Sequence, residues 1–136
     1  MKKDDCIFCK IANGQIPSTT LYEDDTFRVI LDLGPASKGH CLIIPKDHYQ
    51  DLTELPDEVS AKALPIAKKL GIAFMKEFGA AGFNLVQNNG AEAGQSVMHF
   101  HIHVIPRYTG GHEVPLWKPG KLTEEDAKAI KEAIKI

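Results

Sequence analysis

Gly94-Gln95-Ser96-Val97-Met98-His99-Phe100-His101-Ile102-His103-Val104-Ile105 is the stretch on which the reading of this chain turns. From His99 to Val104, imidazole and apolar side chains alternate one for one, the period-two pattern of a half-buried β-strand. Successive side chains on a strand point to opposite faces. Phe100, Ile102 and Val104 are therefore expected on the core side, with His99, His101 and His103 in a row on the other. Imidazoles in such a row stand about 6.5–7 Å apart.

Three uses of the row compete. The histidines can be solvated residues on an open strand face, or a comb in which an i, i+2 pair shares a metal ion. They can also be catalytic. Gly94-Gln95-Ser96 ahead of them supplies a turn, backbone N–H groups and a hydroxyl, the donors a phosphate oxygen needs beside an attacking imidazole. Spacing alone leaves all three open.

The run His99-Phe100-His101-Ile102-His103-Val104-Ile105 resembles the His-φ-His-φ-His-φ-φ motif of the histidine-triad (HIT) nucleotide hydrolases and transferases. The resemblance covers most of the chain, from Cys6-Ile7-Phe8 through Leu31-Asp32 and Gly39-His40 to Pro106. An HxHxH string alone would be a weak signal. Together with Gly94-Gln95-Ser96 and the N-terminal elements in matching order, it is a strong one.

With 136 residues, 43% apolar and 25% charged, the chain is expected to be one domain (residues 1–136) with its own hydrophobic core. We place the core of that domain at about residues 5–107, followed by a tail at 108–136 that carries a helix. A net charge of −2 gives no electrostatic footprint for nucleic acid. No apolar run approaches a membrane span, and Met1-Lys2-Lys3-Asp4-Asp5 is not followed by a signal-peptide core, so a cytoplasmic location is expected. Three cysteines, two of them as Cys6-x-x-Cys9, speak against a secreted disulfide scaffold and for metal or redox chemistry.

In chain order, Cys6–Ile11 reads as a helical turn, with strands near Thr20–Glu23 and Thr26–Asp32 separated by the polar turn Asp24-Asp25. Leu33–Gly39 is a loop and His40–Pro45 a compact apolar strand. From about Pro56 to Phe78 the apolar residues Val59, Ala63, Ile66, Ala67, Leu70, Ala73 and Phe74 recur at helical steps, with Met75 and Phe78 assigned to the core. Pro65 inside this pattern is expected to kink the helix or move its start. Phe83–Asn88 reads as another strand, ahead of the histidine strand. Thr123 is a natural N-cap for a last helix that would bury Ala127, Ile130 and Ile134. The fold expected is α+β: an antiparallel sheet of about five strands, one long helix packed on it and a C-terminal helix.

Imidazole has an ordinary pKa of about 6.5, so a large neutral fraction with a free lone pair exists near pH 7. Nucleotidyl transfer through a covalent intermediate on His101 follows as the expected chemistry, since His99, His103 and the Ser96 turn can surround the phosphate. His103 would balance charge on the non-bridging oxygens, and Ser96 with the Gly94–Ser96 backbone would bind phosphate and relay a proton. Asp32 could accept hydrogen bonds from ribose hydroxyls, or be a turn residue before Gly34-Pro35. The HIT resemblance implies a ribose-binding role for Asp32, a phosphate contact for Asn88 and a supporting role for His40. It also implies an apolar slot for a purine, most simply adenine, at Ile7, Phe8, Ile11, Ile30 and Leu33, and pairing of two copies as a homodimer.

Cys6, Cys9, His48 and His99 form a second constellation. Cys-x-x-Cys is a common half of a tetrahedral zinc site, and the resemblance implies that these histidines complete it. A redox-active or simply reduced pair is the alternative. Zinc held by four protein ligands would be structural, with no catalytic metal and no organic cofactor needed. Cys41, in an apolar strand, reads as an inert thiol. A nucleotide-binding partner protein with little catalysis and a zinc hydrolase are the competing function classes; intact Ser96, His101 and His103 disfavour the first, and the thiolate pair disfavours the second.

Overall fold

The computed structural model describes all 136 residues. Helix α1 (Ile7–Ala12) leads into strands β1 (Thr20–Glu23), β2 (Phe27–Leu31) and β3 (Cys41–Pro45). Helix α2 (Asp57–Phe78), strands β4 (Gly82–Val86) and β5 (Ile102–Arg107), and helix α3 (Glu124–Ala133) follow. The five strands form one antiparallel sheet in the order β1-β2-β3-β5-β4. The α+β expectation holds. No helix is long and apolar enough to cross a membrane.

Strand β3 explains how the site is placed. All five of its residues are buried, as the unbroken apolar run Cys41-Leu42-Ile43-Ile44-Pro45 requires of a strand covered on both faces. Cys41 and Ile43 enter the large core with Phe27, Val29, Phe100, Ile102, Val104 and the inner face of α2. Leu42 and Ile44 turn the other way and join Ile30, Ala12, Phe8 and Ile11 under α1. Pairing of Leu42 with His103 and of Ile43 with Ile102 puts His103 on the α1 side of the sheet. One face packs the larger core against α2; the other carries the smaller cluster under α1.

Helix α2 runs unbroken through Pro65, which lies on the exposed side, where the carbonyl left without a donor can meet water. Its buried face is Ala63, Ile66, Ala67, Gly71 and Phe74. Gly71 is required there, because a Cβ would lie 2.3 Å from the Phe83 ring. Ala73 is exposed, and Met75 and Phe78 are about half-exposed rather than core: Phe78 packs on the Phe74 ring (centroids 5.9 Å) but is the last residue of the helix, where the core no longer covers it.

Two further expectations are corrected. The final strand begins at Ile102, three residues later than the alternation suggests. Before it, the Phe100 N–H bonds the Tyr49 carbonyl, and the His99 side chain takes the Pro45 carbonyl, so no ladder forms there. Helix α3 has its expected Thr123 cap, accepting from Asp126 N–H at 3.1 Å, but buries nothing: Ile130 and Ile134 are 56% and 61% exposed. The tail leaves the sheet at Arg107, and no apolar face of the chain comes back to meet it.

Candidate active site

His40, His99 and His101 are buried and His103 half-buried, so the solvated reading of the histidine row is wrong. Hydrogen bonds assign a proton position to each ring, because a neutral imidazole has one donor and one acceptor nitrogen. His101 Nδ1 sits 2.8 Å from the His99 carbonyl oxygen, which can only accept. Nδ1 therefore carries the proton, and Nε2 is left as a free lone pair. The ring meets Phe8 edge-on, with centroids 4.9 Å apart, and His103 at 4.9 Å. The middle histidine is held as a nucleophile would be.

His103 is set by a relay. Ala36 N–H donates to His40 Nδ1 at 2.9 Å, which puts the His40 proton on Nε2. That proton is donated to His103 Nδ1 at 2.9 Å, leaving His103 with an Nε2–H donor. Asp32 Oδ2 lies 3.6 Å from His40 Nε2, and Asp32 Oδ1 accepts Gly34 N–H at 2.8 Å. Burial lowers the His40 pKa; the Asp32 charge opposes this and the Arg107 charge adds to it. The Asp32–His40 approach is accordingly a polar contact to a neutral ring, not an ion pair. His103 is pushed down to about 4, first by burial and then by His101 and His40, against the pull of Asp32. A neutral relay ending in an N–H donor suits the developing charge on a phosphate oxygen.

His99 faces elsewhere. Its Nε2 donates to the Pro45 carbonyl at 2.8 Å, which leaves the Nδ1 lone pair pointing at Cys6 Sγ (3.3 Å) and Cys9 Sγ (3.4 Å). His48 Nδ1 is also 3.4 Å from Cys9 Sγ. All four ligand atoms lie within 4.8 Å of one another. Burial holds His99 down at about 4, lowers His48 and raises Cys9, so neutral imidazoles face the sulfurs. The S–N edge of a tetrahedral ZnS₂N₂ site is about 3.5 Å, which these three contacts match, so the donor set suits zinc.

Phe8, Ile11 and Ile30 form one apolar cluster as expected. Ile7 is half-exposed and lines a cavity of about 380 Å³ with Cys6, His48 and the exposed Ser96. Leu33 is 98% exposed on its loop, outside this buried cluster. Asn88 stands beside Gly94, whose φ of +93° calls for glycine. Gln95 is buried, and its side chain is fully engaged. It accepts Gly90 N–H at 2.8 Å and donates to the Gln50 (2.7 Å) and Val97 (3.0 Å) carbonyls. It shapes the loop; its amide is not free for a phosphate.

Sequence reading missed the Ala36 N–H, the Pro45 carbonyl and the Asn13 amide, which bonds the Cys9 and Lys46 carbonyls at 2.8 and 2.9 Å. Backbone groups leave no mark in a sequence. Asn13-Gly14 was legible only as a turn.

A family model described as HIT domain matches residues 13–110. An adenosine 5'-monophosphoramidase of Schizosaccharomyces pombe is 41% identical, with 95% of each chain covered. An adenylylsulfatase of Arabidopsis thaliana is 45% identical over 96% of this chain and 65% of that protein. Among solved structures, a HIT family protein from Bacillus anthracis superposes with a TM-score of 0.85 at 41% identity, covering 97% of this chain and 99% of that one. A zinc-bound histidine triad family protein from Mycobacterium smegmatis gives a TM-score of 0.78 at 36% identity, over 95% and 92% of the two chains. With the histidine relay on the helix-α1 face of a β1-β2-β3-β5-β4 sheet, this chain belongs to the HIT domain family.

Proposed function

We propose that this protein is a nucleotide hydrolase or transferase that cleaves at the α-phosphate of purine, most simply adenosine, nucleotide conjugates through a covalent intermediate on His101. The observation that carries it is the His101 Nδ1–H bond to the His99 carbonyl, which frees Nε2 for attack beside the Nε2–H of His103. The lone pair forms an N–P bond as the bond from phosphorus to the leaving group breaks. The leaving group takes a proton, for which Ser96 and His103 are the nearest candidates along the motif. Water then displaces the imidazole, and His101 returns to its starting form. Asp32 holds the ribose hydroxyls, and Phe8, Ile11 and Ile30, with Ile7 at the rim, hold the base. Asn88 and the Gly94–Ser96 backbone hold the phosphate. Names of the relatives support this class of substrate: one is an adenosine 5'-monophosphoramidase, another an adenylylsulfatase.

Cys6, Cys9, His48 and His99 would hold a structural zinc ion, as the donor geometry and the zinc-bound relative support. Bound there, the metal would tie α1 to the histidine strand and would have no open position for substrate. The exposed apolar residues Leu64, Ile72, Met75 and Phe78 on α2 suit burial against a second copy, so we read the working unit as a homodimer.

The test is AMP release from an adenosine phosphoramidate and from a dinucleoside polyphosphate, by the natural chain and by His101→Ala. Turnover by the natural chain and none by the folded variant is expected, and the faster substrate identifies the leaving group. Retained activity in the variant overturns the mechanism. Nucleotide binding without turnover in either protein selects the binding-protein reading instead.

A further inference from the structure

We propose that Cys6 and Cys9 form a redox-active dithiol that a peroxide closes to a disulfide, with Cys6 as the attacking thiol and Cys9 as the resolving one. Cys6 is the N-cap and Cys9 the third residue of α1. One helical turn separates their α-carbons by about 5 Å, inside the span a disulfide bridges. The Sγ atoms lie within 4.8 Å of each other, and the Cys9 N–H already points at Cys6 Sγ (3.4 Å). Access divides the roles. Cys6 borders the cavity of about 380 Å³ that opens beside Ser96, whereas Cys9 is 3% exposed and lies behind it. The third thiol, Cys41, is fully buried on the far side of β3 and takes no part.

The balance is that of ordinary thiol oxidation. Cys6 sulfur attacks one oxygen of hydrogen peroxide, the O–O bond breaks, and water leaves with formation of a sulfenic acid. Cys9 sulfur then attacks that sulfur, the S–S bond forms, and hydroxide leaves and is protonated to a second water. Two thiols lose two electrons and two protons, and one peroxide becomes two waters. The sulfurs are also the thiolate half of the proposed zinc site, so closure would expel any metal held there. Closure itself does not require a metal.

The experiment treats the purified full chain with hydrogen peroxide. Thiols are counted in denaturant, intact mass is measured, and released zinc is followed with a colorimetric chelator. The expected result is a fall from three thiols to one, with a mass loss of about 2 Da for the two hydrogens. Dithiothreitol reverses it, and any zinc present is released in step. Cys9→Ser should stop at a sulfenic acid that a dimedone probe labels on Cys6. Three thiols persisting under excess peroxide, over-oxidation without a disulfide, or a bridge between two chains each overturns the proposal. A disulfide that forms equally in protein purified without zinc upholds the dithiol and shows that closure does not depend on the metal.

Discussion

The backbone carbonyl of His99 accepts the Nδ1–H of His101 at 2.8 Å, while the side chain of His99 presents its own Nδ1 to the Cys6 and Cys9 sulfurs. One residue thus belongs to both constellations, with its ring in the Cys/His cluster and its backbone on the nucleophile. If zinc occupies the cluster, removing it should lower the melting temperature far more than it lowers turnover of the protein still folded. Thermal unfolding and AMP release, before and after dialysis against a chelator, measure the two effects. Abolished turnover in fully folded protein would point to a catalytic metal instead.

Gln95→Ala leaves the Gly90 N–H and the Gln50 and Val97 carbonyls without their buried partner. A loss of about 1–3 kcal/mol is expected in urea unfolding. Because this loop carries Ser96, KM should rise more than kcat falls, and steady-state kinetics separate the two.

Gly39→Ala tests the support of His40. Gly39 has φ +93°, and an added Cβ would lie 2.4 Å from the Phe74 ring. Strain and overpacking together should cost about 1–3 kcal/mol or more. The adjacent His40 should shift, so activity should fall even at temperatures where the variant remains folded. Circular dichroism paired with AMP release checks this.

The half-buried His103 has its pKa depressed to about 4 by burial, reinforced by His101 and His40. A neutral folded form means that the unfolded chain binds a proton the native chain refuses. The stability this ring contributes is therefore complete above about pH 6.5 and is lost as pH falls toward 4. Urea midpoints should decline across that interval, and His103→Asn should flatten the decline. An unchanged profile in the variant would assign the acid sensitivity to other groups.

Nothing in α3 is buried, so we place the end of the domain proper near Arg107. A chain ending after Gly111 should keep its urea midpoint within the error of the natural chain, measured at a concentration low enough to keep both monomeric.

Much of this was legible along the chain because it rests on local pattern. The β1 bounds and α2 emerged almost to the residue: the polar turn Asp24-Asp25 delimits the strand, and a 3.6-residue repeat reports which side of the helix meets the core. Thr123 was legible as a cap because its hydroxyl acts on an N–H three residues away. The same logic misplaced Met75, Phe78, Ile130 and Ile134: an apolar stripe says that a face can be buried, not that a partner is present in the same chain.

The sequence by itself determined the residue types of both constellations and their order. Strict alternation also set the three imidazoles apart from Phe100, Ile102 and Val104, which enter the core, although only His103 lies within β5. Tertiary structure alone decided what each histidine does. Ring protons are assigned by the Ala36 N–H and the Pro45 and His99 carbonyls, groups every residue possesses and no sequence distinguishes. Gln95 likewise became a loop fastener only when folding brought Gln50, 45 residues away, within hydrogen-bonding distance. Direction of a hydrogen bond depends on which backbone dipole lies opposite, and that is a property of packing in three dimensions.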